Sequence, residues 1–437
     1  MKHTLYYVLG LALLIGATGC SRQESNLFDQ SAAERLQALE QEVRTNLTGA
    51  SNGWEMRYFP EPDAAGYALL VRFQQDGTVT FGAKNPVSSN SSYKEETSLW
   101  DMDGTQGCVL TFNSYNDLFT IFADPAGDGI GEGGDYEFVV LKNETNTIQL
   151  KGKKHGAYVT MNRLSDGQDW QEYFKAIDRL YNETFAGNDG IELNYWNGEK
   201  AITVKYESGT INYTLSDELE IYCGFLLTPS GVHFYSGMPV AGTLENAKDF
   251  VLSEDKKVLQ SPDGKVFFSS QYTAAEFFLY RFGNYSRWIY KKEGSDSGIQ
   301  ASIDSLCAAA RANGAEINTI GYERTTSTNA IGARTYNYGL RISYVAGGKL
   351  FSGSIALNST VKNNTITFSY KSHDEALEPL FARFAEGSNA YELFCKIFCG
   401  TFAAESYTGS ELNMTQLKLT NQSTGAAIHL QAEKIIM

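Results

Sequence analysis

The stretch from Asn52 to Phe81, NGWEMRYFPEPDAAGYALLVRFQQDGTVTF, decides the fold class. It contains three short runs of apolar, aromatic and β-branched residues, WEMRYF, YALLVRF and TVTF, and the turn between the last two contains Asp76-Gly77. Such runs are typical of strands, and an Asp-Gly pair between them signals a turn. Six similar runs follow before Leu164, so the pattern predicts eight or nine antiparallel strands. This spacing favours either a lipocalin-like up-and-down barrel or a sandwich.

Helical stretches divide the chain into three predicted units. The first stretch starts with the capping-box pattern SAAE at residue 31 and ends near Leu47. The second covers 168–185, and the third covers 299–312 and stops before Gly314. We predict a mainly β chain (a β-rich α+β fold) with antiparallel sheets, a few helices and no sequence repeat between units. The predicted boundaries are a signal peptide at 1–19, a tether at 20–30, and units at 31–165, 166–298 and 299–437.

Two further helices, at 375–385 and 390–398, are predicted inside the last unit. That unit also contains strand-like runs such as YGLRISYV and LFSGSIAL, and the second unit contains IELNYW and AITVKYE. Both units therefore read as antiparallel sheet with attached helices.

The charge balance restricts the class of partner. The chain has 437 residues with 51 acidic and 36 basic side chains, a formal net charge of −15. Such a surface repels phosphate backbones, which excludes nucleic acid as the expected partner. The negative charge is typical of a protein kept soluble outside the cell.

The N-terminus has the features of a secretory signal peptide. Lys2 provides a positive start, residues 5–15 are apolar, and Ala17-Thr18-Gly19 precedes Cys20. A cysteine after small residues resembles the bacterial lipoprotein box, in which that thiol is acylated. We expect Cys20 to be lipidated and to attach the protein to a membrane. Because Ala17 occupies a position where Leu is preferred, cleavage without lipidation is the alternative.

A glycine-rich segment, DPAGDGIGEGGDYEFVVL from Asp124 to Leu141, matches the G-x-G-x-x-G pattern of nucleotide-binding loops. A strand follows it where the fingerprint requires a helix, and its charged side chains before Lys142 are acidic, so no nucleotide is expected. Asp124, Asp128 and Asp135 could ligate a hard cation such as calcium. A hairpin with solvated acids is the favoured interpretation, and no other cofactor is predicted.

Short patterns that match catalytic motifs occur in the wrong structural context. Residues 49–53 match the G-x-S-x-G elbow, but the predicted helix precedes the serine and the strand follows it, the reverse of the required order. The chain lacks the H-E-x-x-H zinc motif, and no pair of acids is singled out for glycoside hydrolysis. Five cysteines remain after Cys20 and are interpreted as core residues, including Cys395 and Cys399 on a predicted helix.

Two tryptophans lie next to predicted turns. Trp100 is followed by DMDG, and Trp196 is followed by NGEK. Exposed aromatic rings can stack on sugars or hold peptides, although aromatic side chains of β proteins more often belong to the core. These two residues are the candidate ligand contacts.

Several stretches resemble a family of lipoproteins from gut-type Bacteroidetes, catalogued as domain of unknown function 4302. They are NGWEMRYFPEPDAAGYALLVRFQQDGTVTF at 52–81, FADPAGDGIGEGGDYEFVVL at 122–141, IQLKGKKHGAYVTMNRL at 148–164 and FLLTPSGVHFY at 225–235. The resemblance implies a genetic neighbourhood with a TonB-dependent outer-membrane transporter. It brings no catalytic residues with it.

We therefore expect a lipid-anchored, non-enzymatic outer-membrane accessory protein that assists TonB-dependent uptake of a peptide or glycan. Its expected partners are the membrane, through Cys20, and an outer-membrane transporter complex. The alternatives are a secreted hydrolase with a carboxylate acid/base pair and a protein–protein docking module. The sequence leaves open whether the protein faces the cell surface or the periplasm.

Overall fold

Within its described residues, the chain folds into three successive closed barrels, each made of eight antiparallel strands. The computed structural model describes residues 31–61, 63–105, 107–124, 133–187, 190–216, 219–281, 286–328, 334–385 and 389–434. The prediction of a mainly β chain with antiparallel sheets and few helices is confirmed. For the first unit, the barrel is correct rather than the sandwich, because its first and last strands pair with each other.

The first barrel follows helix α1, Ala32–Thr48. Its strands are β1 Trp54–Tyr58, β2 Tyr67–Phe73, β3 Thr78–Ala83, β4 Lys94–Asp103, β5 Val109–Phe112, β6 Glu137–Asn143, β7 Thr147–Gly152 and β8 Tyr158–Arg163. Each strand pairs with the next, and β1 closes the sheet against β8 with Trp54 opposite Arg163. The predicted capping box is present: the Glu34 N–H donates to Ser31 Oγ over 3.3 Å, and the Ser31 N–H donates to the Glu34 carboxylate over 2.8 Å.

Aromatic side chains fill the interior of the first barrel. Phe119 and Phe122, on the segment between β5 and β6, lie with their ring centroids 5.3 and 5.5 Å from that of Tyr58. The Phe119 ring also stacks on Phe81 at 4.7 Å. An eight-stranded barrel is just wide enough for side chains to fill it. The space that would hold a ligand in a lipocalin-like barrel is therefore occupied by the protein's own core.

The second barrel follows helix α2, Trp170–Thr184, whose N-cap Asp169 accepts the Glu172 N–H at 2.8 Å. Its strands are β9 Glu192–Trp196, β10 Ala201–Glu207, β11 Thr210–Ser216, β12 Leu219–Thr228, β13 Gly231–Pro239, β14 Asn246–Leu252, β15 Val258–Gln260 and β16 Phe267–Ser270. Strand β16 closes the barrel against β9, with Phe268 opposite Tyr195.

The third barrel begins after a short helix α3, Ala274–Glu276, which continues into a π-helical segment, Phe277–Arg281. Its strands are β17 Ser286–Lys291, β18 Ala315–Thr328, β19 Arg334–Ala346, β20 Lys349–Lys362, β21 Thr365–His373, β22 Gly400–Ser406, β23 Gln416–Asn421 and β24 Ala427–Lys434. Helix α4, Ser297–Ala312, lies between β17 and β18. Helices α5, Glu378–Phe381, and α6, Tyr391–Phe398, lie between β21 and β22 and match the predicted helical pair.

The start of the third unit differs from the sequence-based boundary at residue 299. Strand β17 precedes that boundary, yet it pairs with β18 and β24 of the third barrel. Helix α4 is thus an insertion between the first two strands of the barrel and does not lead the unit. The boundary was placed at α4 because its sequence has strong helical periodicity, whereas α3 is too short to give a periodic signal.

The leading helices of the first and third barrels share a local design. Thr273 caps α3 through a second capping box, TAAE, which matches SAAE at Ser31. The indole N–H of Trp288 on β17 donates to the Phe278 carbonyl at 3.3 Å, and that of Trp54 on β1 donates to the Leu47 carbonyl at 3.1 Å. In both barrels, a tryptophan of the first strand therefore ties the barrel wall to the preceding helical segment.

The hydrophobic cores divide unevenly among the barrels. One continuous cluster spans the second and third barrels, whereas the first barrel has a cluster of its own. A small third cluster joins Leu70 of β2 to Trp170, Tyr173 and Phe174 of α2. Helix α2 therefore packs against the first barrel as well as leading into the second. Among the helices in the described ranges, none has both the length and the apolar composition needed to cross a membrane.

Candidate functional site

A cleft of about 530 Å³ lies where the first barrel, α2 and the second barrel meet. Its walls are mainly aromatic and aliphatic. The lining residues are Ala65, Gly66, Tyr67, Ala68, Lys84, Asn85, Pro86 and Ser91 from the first barrel, Phe174, Ile177, Asp178, Tyr181 and Phe185 from α2 and its end, and Tyr206, Ser208, Gly209, Phe225, Leu226 and Leu227 from the second barrel. We call this site the inter-barrel cleft.

Buried rings form the floor of the inter-barrel cleft. The Phe185 ring stacks on Tyr206 with centroids 4.6 Å apart and lies 5.3 Å from Phe225, and all three side chains are buried. Tyr181, in the last turn of α2 and four residues before Phe185, is 38% exposed. The cleft therefore has an apolar floor fixed by core packing and an accessible tyrosine on its wall.

The polar edge of the cleft is built from a loop between β3 and β4. Lys84 forms an ion pair with Asp178, which ties this loop to α2. The Asn85 N–H donates to Ser89 Oγ at 2.8 Å, and the Ser91 N–H donates to the Asn85 carbonyl at 2.8 Å. These bonds hold the loop in one conformation before any ligand arrives, a form of preorganisation that favours binding.

Small residues allow the two barrels to approach closely behind the cleft. The Gly66 N–H donates to the Phe225 carbonyl at 3.0 Å. A Cβ placed on Gly224 would lie only 1.9 Å from the carbonyl oxygen of Ala64. The segment around Ala64 therefore rests on the backbone of β12, and only glycine fits at position 224.

A polar network also joins the barrels. Arg57 of β1 donates from Nε to Glu55 at 3.2 Å and from Nη1 to Asp249 of β14 at 3.0 Å. The same Nη1 lies 3.0 Å from Nδ1 of His233, which is 2.8 Å from Asp249. Tyr173 of α2 donates its hydroxyl to Glu55 at 2.6 Å. We call these five residues the junction network.

The protonation states in the junction network fit a structural role. Burial tends to raise the pKa of Asp249, but its contacts with His233 and Arg57 outweigh that tendency and lower it. Burial and the neighbouring Glu55 carboxylate raise the pKa of Tyr173 well above its usual value. The Glu55 side chain is buried, and both its oxygens accept hydrogen bonds, one from Arg57 of β1 and one from Tyr173 of α2. This carboxylate therefore links β1 to α2.

The two tryptophans chosen from the sequence lie apart from each other and outside the cleft lining. Trp100 is only 2% exposed, and its indole N–H donates to the Gln74 carbonyl at 3.3 Å. Its ring contacts Phe73 edge-on at 4.9 Å, so Trp100 is a core side chain and does not present its ring for ligand contact. Trp196 is half-buried near the end of β9, where it stacks on Phe267 with centroids 6.5 Å apart.

The predicted acidic site is only partly within the described residues. Asp124 accepts a hydrogen bond from the Tyr115 hydroxyl at 2.8 Å. Asp135 is buried and accepts the backbone N–H groups of Lys154 and His155 at 2.9 and 3.0 Å. Asp128, most of the glycine pattern and Cys20 lie outside the described residues. Within the described ranges, no three His, Cys, Asp or Glu side chains are grouped to hold a metal, and the calcium site stays a prediction.

A carboxylate–imidazole–phenol chain on the third barrel was missed in the sequence. His373 Nε2 lies 2.8 Å from Glu378 Oε1, and its Nδ1 lies 2.9 Å from the Tyr370 hydroxyl. Burial, followed by the charges of Tyr391, Cys395 and Glu378, raises the pKa of Tyr370, which opposes its use as a nucleophile. The chain ties β21 to α5. Since it spans a strand end and a separate helix, no spacing rule would have found it.

The cysteines lie in or against apolar surroundings, as interpreted from the sequence. Burial raises the pKa of both Cys108 and Cys223 to about 11. Cys395 and Cys399 pack against the core at the end of α6. A hydrogen bond between them lowers the pKa of Cys395 and raises that of Cys399.

The residues of the inter-barrel cleft were not chosen as candidates from the sequence. Ile177 and Tyr181 occur at helical spacing with Trp170 and Phe174, a pattern that predicts only the helix. By helical geometry, both residues fall within the stripe formed by Tyr173, Phe174 and Leu180, so their spacing gave no separate signal of a cleft.

Comparisons with known proteins add one family assignment. Among solved structures, the chain aligns with the DNA polymerase III β chain of Streptococcus pneumoniae TIGR4 at 10% identity, covering 92% of this chain and 98% of that one, with a TM-score of 0.15. It aligns with a protein of unknown function from the DUF3598 family of Nostoc punctiforme at 8% identity, covering 90% and 99%, with a TM-score of 0.13. At these TM-scores the alignments carry no argument about fold or function. Comparison with curated proteins returned no match.

A family described as "Domain of unknown function (DUF4302)" matches residues 24–252. The matched region is more than half of the chain. It contains α1, the first barrel, α2 and strands β9 to β14, and therefore all lining residues of the inter-barrel cleft. The chain belongs to this family, the domain of unknown function DUF4302.

Proposed function

We propose that the protein is a lipid-anchored, non-enzymatic accessory protein of the outer membrane that binds a peptide or glycan in the inter-barrel cleft. Lipid on Cys20 would hold it at the membrane, and a TonB-dependent transporter would receive the ligand. The observation that carries the proposal is the cleft itself, about 530 Å³ with aromatic walls and a fixed polar edge.

The size and lining of the cleft support ligand binding. Small-molecule sites commonly have about 300–1,000 Å³, mostly apolar walls and a few placed polar groups. Here the polar groups are Lys84 and Asp178, which pair across the edge, together with Asn85 and Ser91 of the rigid loop. Because the interior of the first barrel is filled by aromatic rings, a ligand would bind between barrels rather than inside that barrel.

Closure of the sheets limits the ways in which a peptide could be recognised. In each barrel, every strand pairs with a neighbour on both sides. Recognition of a peptide by strand addition needs an unpaired edge. A ligand of the inter-barrel cleft would therefore be recognised through ring stacking and side-chain contacts, which suit a glycan and also a peptide with aromatic or aliphatic side chains.

A binding role also agrees with the state of the buried acids. Glu55 is fully engaged by Tyr173 and Arg57, and Asp135 accepts backbone N–H groups. Groups held in this way fix the structure and are poorly placed to exchange protons with a substrate. Turnover of any panel substrate, abolished by a single Asp or Glu substitution, would favour the hydrolase alternative. Co-purification with a transporter without ligand binding would favour the docking alternative.

We expect Tyr181→Ala to weaken ligand binding about fivefold, because one aromatic contact contributes roughly 0.5–1.5 kcal/mol. The mature chain would be titrated calorimetrically with a casein digest, starch, xylan and mucin glycans, and each variant tested on whichever probe binds. Tyr407→Ala is the matched control, since Tyr407 is also 38% exposed but belongs to the third barrel. Equal effects of both substitutions, or no binding to any probe, would contradict the assignment of the cleft.

Membrane attachment is tested separately with Cys20→Ser. We expect the wild-type chain to fractionate with outer membranes and to carry acyl chains detectable by mass spectrometry, because several buried acyl chains bind a membrane stably. The variant should lose the acyl mass and leave the membrane fraction. Identical fractionation of both forms would argue against lipidation. Protease treatment of intact cells carrying a C-terminally tagged chain, followed by pull-down, would report the exposed face and any attached transporter.

A further inference from the structure

A second, smaller cleft lies on the first barrel and shares no lining residue with the inter-barrel cleft. It has a volume of about 200 Å³. The residues that matter here are Asn113, Ser114 and Tyr115 after β5, Asp124 after the 3-10 turn Thr120–Ala123, and Tyr136 before β6. We call it the tyrosine cleft.

Two tyrosine side chains in this cleft are about half exposed to solvent. Tyr115 is 56% exposed and Tyr136 is 49% exposed. The Phe112 N–H donates to the Tyr136 carbonyl at 3.1 Å, so the segments that carry the two tyrosines are tied together at the end of the β5–β6 ladder. Large rings exposed together in a concavity typically mark a binding site.

The backbone around the rings is well supported. Leu99 donates its N–H to Ser114 Oγ at 2.8 Å, and Asn116 donates its N–H to Thr120 Oγ1 at 2.7 Å. The Tyr115 hydroxyl donates to Asp124 at 2.8 Å, which orients the phenol ring against the rim of the cleft. The Tyr115 ring is thus held in place before binding, so that little of its conformational entropy would be lost on ligand contact.

The polar groups of the cleft favour hydroxyl-rich, uncharged ligands. A carboxylate can accept several hydrogen bonds, so Asp124 can accept from a ligand hydroxyl while it holds Tyr115. The side-chain amide of Asn113 offers both donors and an acceptor. Burial and the contact with Asp124 raise the pKa of Tyr115. The nearby carboxylates of Asp117 and Glu96 raise it further, to about 12. This negative surround repels anionic ligands.

We propose that the tyrosine cleft binds one neutral pyranose unit of a glycan. The C–H face of the sugar would stack on the exposed tyrosine rings, and its hydroxyls would donate to Asp124 and bond to Asn113. The volume suits a single ring, below the roughly 300 Å³ at which sites for larger ligands begin. This assignment does not depend on whether a ligand binds in the inter-barrel cleft.

The barrel surface offers a matched comparison. Tyr222 on β12 is 47% exposed and donates its hydroxyl to Glu220 at 2.8 Å, the same tyrosine–acid pair as in the tyrosine cleft. It lies on a strand outside the tyrosine cleft, so it can stack on one face of a ligand but cannot enclose it. Concavity, rather than exposure alone, distinguishes Tyr115 and Tyr136.

Saturation-transfer NMR on the full mature chain would test the proposal, with methyl β-glucoside, methyl β-galactoside, methyl α-mannoside and methyl β-glucuronide as probes. We expect at least one neutral glycoside to bind and the glucuronide not to. Tyr115→Ala or Tyr136→Ala should weaken binding about fivefold, and Asp124→Asn about tenfold. Tyr222→Ala should leave it unchanged. Circular dichroism would verify that each variant folds.

The proposal would be overturned by the absence of saturation transfer to every neutral glycoside, by tighter binding of the glucuronide than of the neutral probes, or by equal weakening by Tyr222→Ala and Tyr115→Ala. If Tyr181→Ala abolishes the signal and Tyr115→Ala does not, the sugar binds in the inter-barrel cleft and the tyrosine cleft is excluded. Tyr115→Phe, which keeps the ring but loses the bond to Asp124, should give an intermediate affinity.

Discussion

Trp54→Ala is expected to lower the free energy of unfolding of the first barrel by about 3–5 kcal/mol, the usual cost of deleting a fully buried tryptophan. The Trp54 side chain has no exposed surface, and the Arg163 guanidinium lies over its ring at 4.9 Å. The substitution also removes the donor for the Leu47 carbonyl, which links β1 to α1. Denaturant titration combined with segment-resolved hydrogen exchange would measure the loss.

The effect of Trp54→Ala should be confined mainly to the first barrel, because that barrel has a core cluster separate from the one shared by the other two. Exchange should accelerate in β1 to β8 much more than in β17 to β24. Trp196→Ala is the control: Trp196 is only half-buried, and we expect a cost of about 1 kcal/mol or less. Equal losses for the two variants would refute the role given to the Trp54 site.

Arg57→Ala is expected to destabilise the junction of the first and second barrels by about 3 kcal/mol, because it leaves the buried Glu55 carboxylate without its cationic partner. The Arg57 side chain is 19% exposed and that of Glu55 10%, so solvent screens the pair little. Tyr173 continues to donate to Glu55, which limits the loss. Faster hydrogen exchange in β13, β14 and α2 would reveal the weakened junction.

The matched control for Arg57→Ala is Lys142→Ala in the same barrel. Lys142 and Glu144 form an ion pair at 2.8 Å with side chains 49% and 54% exposed, and such surface pairs contribute little, about 0.5 kcal/mol or less. If Arg57→Ala costs no more than this control, the junction network does not hold the barrels together.

Acid should weaken the same junction without any substitution. The pKa of Asp249 is lower in the folded chain than its ordinary value near 3.8. Its contacts with Arg57 and His233 therefore stabilise the junction while Asp249 is ionised, above about pH 4, and this contribution is lost as the pH falls through the lowered pKa. Since Asp249 is half-exposed, the effect should be smaller than that of Arg57→Ala.

The inter-barrel cleft depends on this junction for its shape. Its walls belong to two barrels with separate hydrophobic cores, bridged by α2, by the junction network and by the contact of Ala64 with Gly224. A ligand in the cleft would contact both barrels at once. Binding should therefore protect the junction from acid and from hydrogen exchange, by stabilising the joined arrangement.

Much of the fold was predictable because its determinants are local. Alternation of apolar residues in runs such as YALLVRF, separated by Asp-Gly and Asn-Gly turns, is enough to predict antiparallel strands in sequence order. The Ser31 capping box marked the start of α1 for the same reason, since both partners lie within four residues. Helix α3 was not predicted, because three helical residues are too few to show a helical period. The start of the third unit was therefore placed at the wrong helix.

The candidate sites were less accessible from the sequence because burial is not a local property. Trp100 and Tyr115 both lie beside turn-like segments, yet the first is 2% exposed and the second 56%. The segment between β5 and β6 folds Phe119 and Phe122 into the barrel and leaves Tyr115 outside, whereas the Trp100 ring packs edge-on against Phe73. No spacing rule distinguishes a ring that enters a core from one that borders a cleft.

By itself, the sequence determined the β-rich class and the antiparallel arrangement of most strands, because these follow from periodicity and turn chemistry. The secretory signal and the lipidation of Cys20 stay predictions. Only the tertiary structure decided that each sheet closes, where the third barrel begins, and which aromatic residues face solvent. The inter-barrel cleft joins Tyr67, Tyr181 and Phe225, which are far apart in the chain. Contacts of this kind arise when barrels pack against one another, and a single sequence carries no local signal of that packing.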